Sequence, residues 1–129
     1  MFMKYIFLIA LLFSVSSHAA KYTFDECVEL SNGVNADTPL DLNNGFILDY
    51  STCMDFPDGP RLIYLYRVGN SISKNQIGPQ YANNVRSTLC ANSQFVQLLS
   101  GLKDVQYQYY NNSTGKYLTS FEANINDCN

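Results

Sequence analysis

Arg61-Leu62-Ile63-Tyr64-Leu65-Tyr66-Arg67-Val68 is the stretch on which the fold turns. Half of its residues are β-branched or aromatic, and its side chains alternate with period two. Leu62, Tyr64 and Tyr66 face one way; Ile63, Leu65 and Arg67 face the other. Both faces are apolar through the middle, which predicts a central strand. Just upstream, Asp55-Phe56-Pro57-Asp58-Gly59-Pro60 has the residues of a tight turn, with proline presetting φ and glycine accepting positive φ. The β-prone run Phe46 to Met54 precedes that turn, so the two strands form a hairpin.

Working outward, Thr23-Phe24-Asp25-Glu26 reads as a capping box, with two acids in the first turn of a helix. Phe24, Cys27, Val28, Ser31 and Val34 recur at helical spacing and Gly33 can end the helix, which predicts a short helix over about 23–33. Residues 35–45 and 69–76 read as loops. Tyr81, Val85, Leu89 and Cys90 predict a second helix from Pro79 to Ala91. Ser93 can cap a further short segment that Gly101 closes. Val105, Tyr107 and Tyr109 alternate with Gln106, Gln108 and Tyr110, and after the loop 111–115 a final strand runs from Tyr117 towards Ile125.

The order is α-β-β-α-β-β. Two hairpins give an antiparallel sheet of about four strands with one apolar face, and the amphipathic helices are available to cover it. The expected fold is a two-layer α+β sandwich with helices on one face.

Four cysteines, Cys27, Cys53, Cys90 and Cys128, permit three pairings. Cys27–Cys53 and Cys90–Cys128 is the preferred one, since each bond would pin a helix onto the strand region of its own half. The spacings of 26, 37 and 38 residues lack the close pairs of a zinc site or a Cys-x-x-Cys redox motif. A disulfide-stapled domain needs an oxidising compartment. Residues 1–19 supply the route: Lys4, the apolar run Tyr5 to Val15 and the small-x-small site Ser17-His18-Ala19 have the parts of a secretory signal peptide. The run falls short of the ~20 residues that span a bilayer, so no stable membrane insertion is expected after cleavage. Residues 20–129 then form one domain, periplasmic or secreted, of a bacterial protein.

Composition narrows the function. The single histidine, His18, lies in the signal, so Ser-His-Asp, Cys-His and HExxH chemistry is excluded from the exported part. Eight basic residues less Lys4 leave seven against eleven acidic ones, a net charge of −4 with no basic stripe. Nucleic-acid binding is unsupported, and no cofactor is expected. Asp55 and Asp58, alone or with Asp49, could in principle serve as paired carboxylates or calcium ligands. Their place in a Pro-Gly turn has a simpler cause, the local hydrogen bonding of Asp. Tyr110 lies opposite the core-facing set beside Gln106 and Gln108, where an exposed aromatic and amide face could meet a protein or glycan.

The run Thr88-Leu89-Cys90, Leu98-Leu99-Ser100-Gly101, Val105-Gln106-Tyr107-Gln108-Tyr109-Tyr110, Gly115-Lys116-Tyr117-Leu118 and the closing Cys128 resembles a group of small exported bacterial α/β proteins labelled quorum-sensing-regulated virulence factor-like. The resemblance covers residues 81–128. It implies a periplasmic or secreted α/β fold with a disulfide from a helix to the terminus, and it brings no catalytic residue. The Cys27/Cys53 pair departs from that pattern.

The expected function is therefore a non-enzymatic, exported protein that binds an unknown protein partner. Asp55, Asp58 and Tyr110 are the candidate contact residues. An inhibitor or immunity-type protein acting on an exported toxin or cell-wall hydrolase is the second expectation, and a small carboxylate-dependent hydrolase the third.

Overall fold

The stretch around Tyr64 lies in the middle of a five-stranded sheet whose spatial order follows the chain: β1 (Leu40–Asp41), β2 (Phe46–Phe56), β3 (Gly59–Val68), β4 (Asp104–Asn111) and β5 (Tyr117–Ala123). The computed structural model describes residues 21–129; the expected signal peptide falls in residues 1–20, outside the described residues. Among the described residues three helices, α1 (Phe24–Asn35), α2 (Pro79–Cys90) and α3 (Ser93–Gly101), pack on one face of the sheet. The two-layer α+β architecture stands as expected. No helix among the described residues is long and apolar enough to cross a membrane.

One strand pairing differs from expectation. β1–β2, β2–β3 and β4–β5 are antiparallel, but β3 and β4 run parallel. The segment between them carries α2, α3 and a 3₁₀ turn at Lys74–Ile77, which takes the chain back across the sheet before β4 begins. A crossover of that kind is what parallel neighbours require. The fifth strand, β1, is only two residues long inside the expected 35–45 loop, and local pattern could not reveal it.

Several boundaries also moved. Thr23 and Glu26 form the capping box as read, each side chain bonded to the other's backbone amide at 3.1 and 2.8 Å. The helix passes Gly33 and ends at Asn35, because the Asn35 amide holds the edge of β2. It donates to the Ser51 carbonyl at 2.8 Å and accepts the Ser51 amide at 2.7 Å. α3 is capped by Asn92, one residue before the expected Ser93, through a bond from the Phe95 amide. β5 stops at Ala123, where Asn124 and Asp127 cap a 3₁₀ turn over Ile125–Cys128. Gly101 closes α3 as its last residue, and the Tyr22 ring packs on it so closely that any Cβ would overlap the ring.

The core is built from tyrosine. Tyr64 and Tyr66 on β3 meet Tyr107 and Tyr109 on β4, all fully buried. Tyr66 stacks on Tyr109 with centroids 5.1 Å apart, and Tyr107 stacks on Phe121 at the same distance. Leu62 and Val105 complete the row beneath α1 and α3. Rings of this size bury large areas, and offset or edge-on contacts add about 1 kcal/mol per pair. The Tyr64 hydroxyl is buried without a hydrogen-bond partner among the described residues, a local cost set against that packing.

Both preferred disulfides are present. Cys27–Cys53 ties α1 to β2, and Cys90–Cys128 ties α2 to the terminal 3₁₀ turn instead of to a strand.

Burial raises the phenol pKa of Tyr64, Tyr66, Tyr107 and Tyr109 above the ordinary value of 10.0. The folded state thus holds these protons more tightly than the unfolded chain. Their contribution to stability is fully present below about pH 10 and is lost as pH rises beyond it. Alkaline titration should show tyrosinate absorbance from these four rings appearing together with loss of circular dichroism, and not before it. Replacing Cys27 and Cys53 together by Ala should lower unfolding stability by about 3–4 kcal/mol, as should the Cys90/Cys128 pair, measured by urea denaturation.

Candidate functional site

The sequence singled out two places, and the sheet puts them at opposite ends. Asp55 and Asp58 belong to the β2–β3 hairpin tip, beside the Arg61/Asp104 pair that opens the β3–β4 ladder. Tyr110 lies opposite Arg67, six residues along, or about 20 Å of strand away.

The tip is fastened down. Asp58 accepts a hydrogen bond from Lys103 Nζ at 3.2 Å, and that bond holds its carboxyl below the usual range. Two cations lie over the Phe56 ring, Arg61 at 5.0 Å and Lys103 at 5.1 Å from its centroid. Arg61 and Asp104 form a two-pronged ion pair at 2.7 and 3.0 Å, largely withdrawn from water. Lys103 thereby offsets the acidity that the sequence places at this turn. Asp49 is not near either acid. It occupies the β-bulge in β2 and pairs with Arg67 at 3.2 Å.

Tyr110 belongs to a different kind of surface. It faces away from the helices, on the open side of the sheet, and its hydroxyl donates to Gln108 Oε1 at 2.9 Å. Gln108 in turn donates to Gln106 at 2.7 Å, and Gln106 to Glu122 at 3.0 Å. This chain of bonds fixes four side chains across β4 and β5 before any partner arrives.

The same face carries residues that local pattern did not single out. Tyr50, Met54 and Tyr117 are 45, 48 and 51 % exposed, and all three are on this open face. They are three of the four large apolar side chains exposed among the described residues, so the apolar surface is concentrated here. Tyr117 pairs with Tyr110, with centroids 5.6 Å apart. Strict alternation back from the buried Phe121 would put Tyr117 on the core side. A bulge at Tyr109/Tyr110 breaks the register and turns it outward. Tyr50 and Met54 were legible from Cys53: a cysteine bonded inward to α1 obliges residues an odd number of positions away in β2 to face outward.

A hollow of about 350 Å³ opens on this face, walled by Tyr50, Leu65, Arg67, Tyr110 and Gly115. Arg67 spans it, donating to Asn112 at 2.7 Å and paired with Asp49. Its Nε is buried without a hydrogen-bond partner among the described residues. The carboxylates that pair in this structure do so with cations: Asp49 with Arg67, Asp58 with Lys103, Asp104 with Arg61 and Asp127 with Arg86. What the open face offers is aromatic area, fixed amides and one guanidinium, a set suited to recognition.

No protein-family model matches the chain, and no curated protein matches it. Solved structures do share its fold. A Pseudomonas aeruginosa protein described as a candidate secreted protein superposes with a TM-score of 0.58 at 19 % identity, over 82 % of this chain and 96 % of its own. EpsS, the pilotin of the Vibrio vulnificus type 2 secretion system, gives 0.62 at 12 % identity, over 82 % and 91 %. The Vibrio cholerae type II secretion system pilotin AspS gives 0.55 at 14 % identity, over 81 % and 91 %. At these identities the likeness is one of fold: this chain has the α+β architecture found in two pilotins and in a small bacterial protein of the secreted class.

Proposed function

We propose that this chain is a non-enzymatic, exported protein that acts by binding a protein partner through the open face of its sheet. The observation that carries the proposal is that Tyr50, Met54 and Tyr117 are exposed on the same face of the sheet as a pre-bonded Tyr110–Gln108–Gln106–Glu122 row. Side chains already held in place lose less conformational entropy when a partner docks. Tyrosine and methionine supply contact area there, and Arg67 supplies a charge.

The pilotin likeness favours a component of an envelope secretion machine as the partner class. Residues 1–19 act as a cleaved signal peptide on this view, and the two disulfides form in the oxidising periplasm or outside the cell. The sequence resemblance to quorum-sensing-regulated virulence factor-like proteins favours the same compartment. The hairpin tip is the weaker surface, since Lys103 already holds Asp58.

The test is partner capture from the envelope of the producing cell by three forms of the exported protein. Replacing Tyr50, Met54 and Tyr117 together by Ser should abolish recovery of a partner that the unaltered protein retains, with a thermal midpoint close to that of the unaltered protein. The Asp55→Asn/Asp58→Asn form should recover that partner undiminished. Equal recovery by all three forms would remove the open face as the site, and loss only in the tip form would move the function to the hairpin.

A further inference from the structure

The two edges of the sheet are treated differently by the rest of the chain. On one side β1 covers the start of β2, and the Asn35 amide then imitates a strand by bonding both backbone groups of Ser51. On the other side β5 has β4 as its only strand neighbour among the described residues. Arg86 Nε donates to the Glu122 carbonyl at 2.9 Å, so the Glu122 backbone points away from β4. Alternation in an antiparallel pair gives Ser120, two residues earlier, the same outward direction. The Ser120 amide and carbonyl have no partner among the described residues on that side. β5 carries no proline and one charged residue, Glu122; the bulge at Tyr109/Tyr110 and the Arg86 bond to the Glu122 carbonyl guard its two ends, and the Ser120 groups between them stay open.

Beside this edge lies a hollow of about 300 Å³, walled by Ile77, Pro79, Ala82 and Phe121 with Arg86 at one end. The Arg86 guanidinium is partly exposed. It donates to Asn83 at 2.9 Å, and its nearest carboxylate, Asp127, is 3.8 Å away. The edge asks for extended backbone, the hollow for an apolar side chain, and Arg86 for a carboxylate. We propose that the β5 edge binds an extended peptide segment as a sixth strand, with an apolar side chain in the Ile77/Pro79/Ala82/Phe121 hollow and an acidic side chain against Arg86.

A second copy of this chain fits less well. Two β5 strands paired about Ser120 would set Leu118 opposite Glu122, which brings no carboxylate to Arg86. Glu122 itself is bonded to Gln106 on the open face. The occupant is therefore a segment of a different protein, recognised by strand addition. This site is separate from the open face and stands whether or not that face binds a partner.

The experiment uses the exported protein, disulfides intact and isotopically labelled, with the synthetic peptide acetyl-Thr-Val-Thr-Leu-Thr-Glu-Val-amide. Saturable shift changes should appear in Tyr117–Ala123 and in residues 77–86. N-methylation of the peptide's central amides should weaken binding about tenfold or more, since it removes the ladder bonds. Ser120→Pro should do the same while leaving the fold intact, because an outward amide on an edge strand is dispensable to the sheet. If Ser120→Pro does not fold, the N-methyl peptide decides alone. Arg86→Gln should erase the preference for this peptide over its Glu-to-Gln analogue. No saturable shifts, shifts confined to Tyr50 and Tyr110, or equal binding of the N-methyl peptide would overturn the proposal. A dimer that Ser120→Pro converts to a monomer would overturn it too, by giving the edge to a second copy.

Discussion

The register of β3 against β4 is the constraint on which the rest of this structure depends. It sets Leu62 beside Val105, Tyr64 beside Tyr107 and Tyr66 beside Tyr109 on one face. On the other face the same register sets Arg61 beside Asp104 and Arg67 beside Tyr110. A slip of one residue by either strand would carry that strand's two buried phenols into water and bring its ionic or amide groups under the helices. The aromatic core and the recognition surface are thus two sides of one alignment. The Arg61–Asp104 ion pair marks the first rung of that ladder.

The covalent bonds act on what this alignment leaves loose. α1 reaches the sheet through Cys27–Cys53 and through a buried hydrogen bond between Ser31 and Ser51 at 2.8 Å. The terminal 3₁₀ turn is held to α2 by Cys90–Cys128, near Arg86 and the end of β5. Each link fastens a peripheral element to the central ladder. In a domain of this size, constraining the unfolded chain adds usefully to a modest core.

The open face and the β5 edge share a cause. The three helices among the described residues lie on one side of the sheet, so the other side is left open, and no described strand pairs with the outer edge of β5. A fold of this kind leaves its apolar outward residues and its edge groups available unless something else occupies them. The likeness to pilotins shows that the same architecture occurs in proteins of secretion systems, and there too the fold alone does not name the contact residues.

Period-two alternation and the cysteines determined a good deal by themselves. The central strand, the inward tyrosines, the outward Tyr110, the α1 capping box and the two-layer class follow from local chemistry, because a side chain's face is set by its neighbours in sequence. The preferred disulfide pairing follows from which elements each cysteine would join. Tertiary structure alone decided the parallel β3–β4 pairing, since strand direction depends on where the intervening helices return the chain. It alone turned Tyr117 outward, since a bulge changes register without a signature in the residues themselves. It alone set Lys103 against Asp58 and Asn35 against Ser51, contacts between segments far apart in sequence that no local pattern encodes.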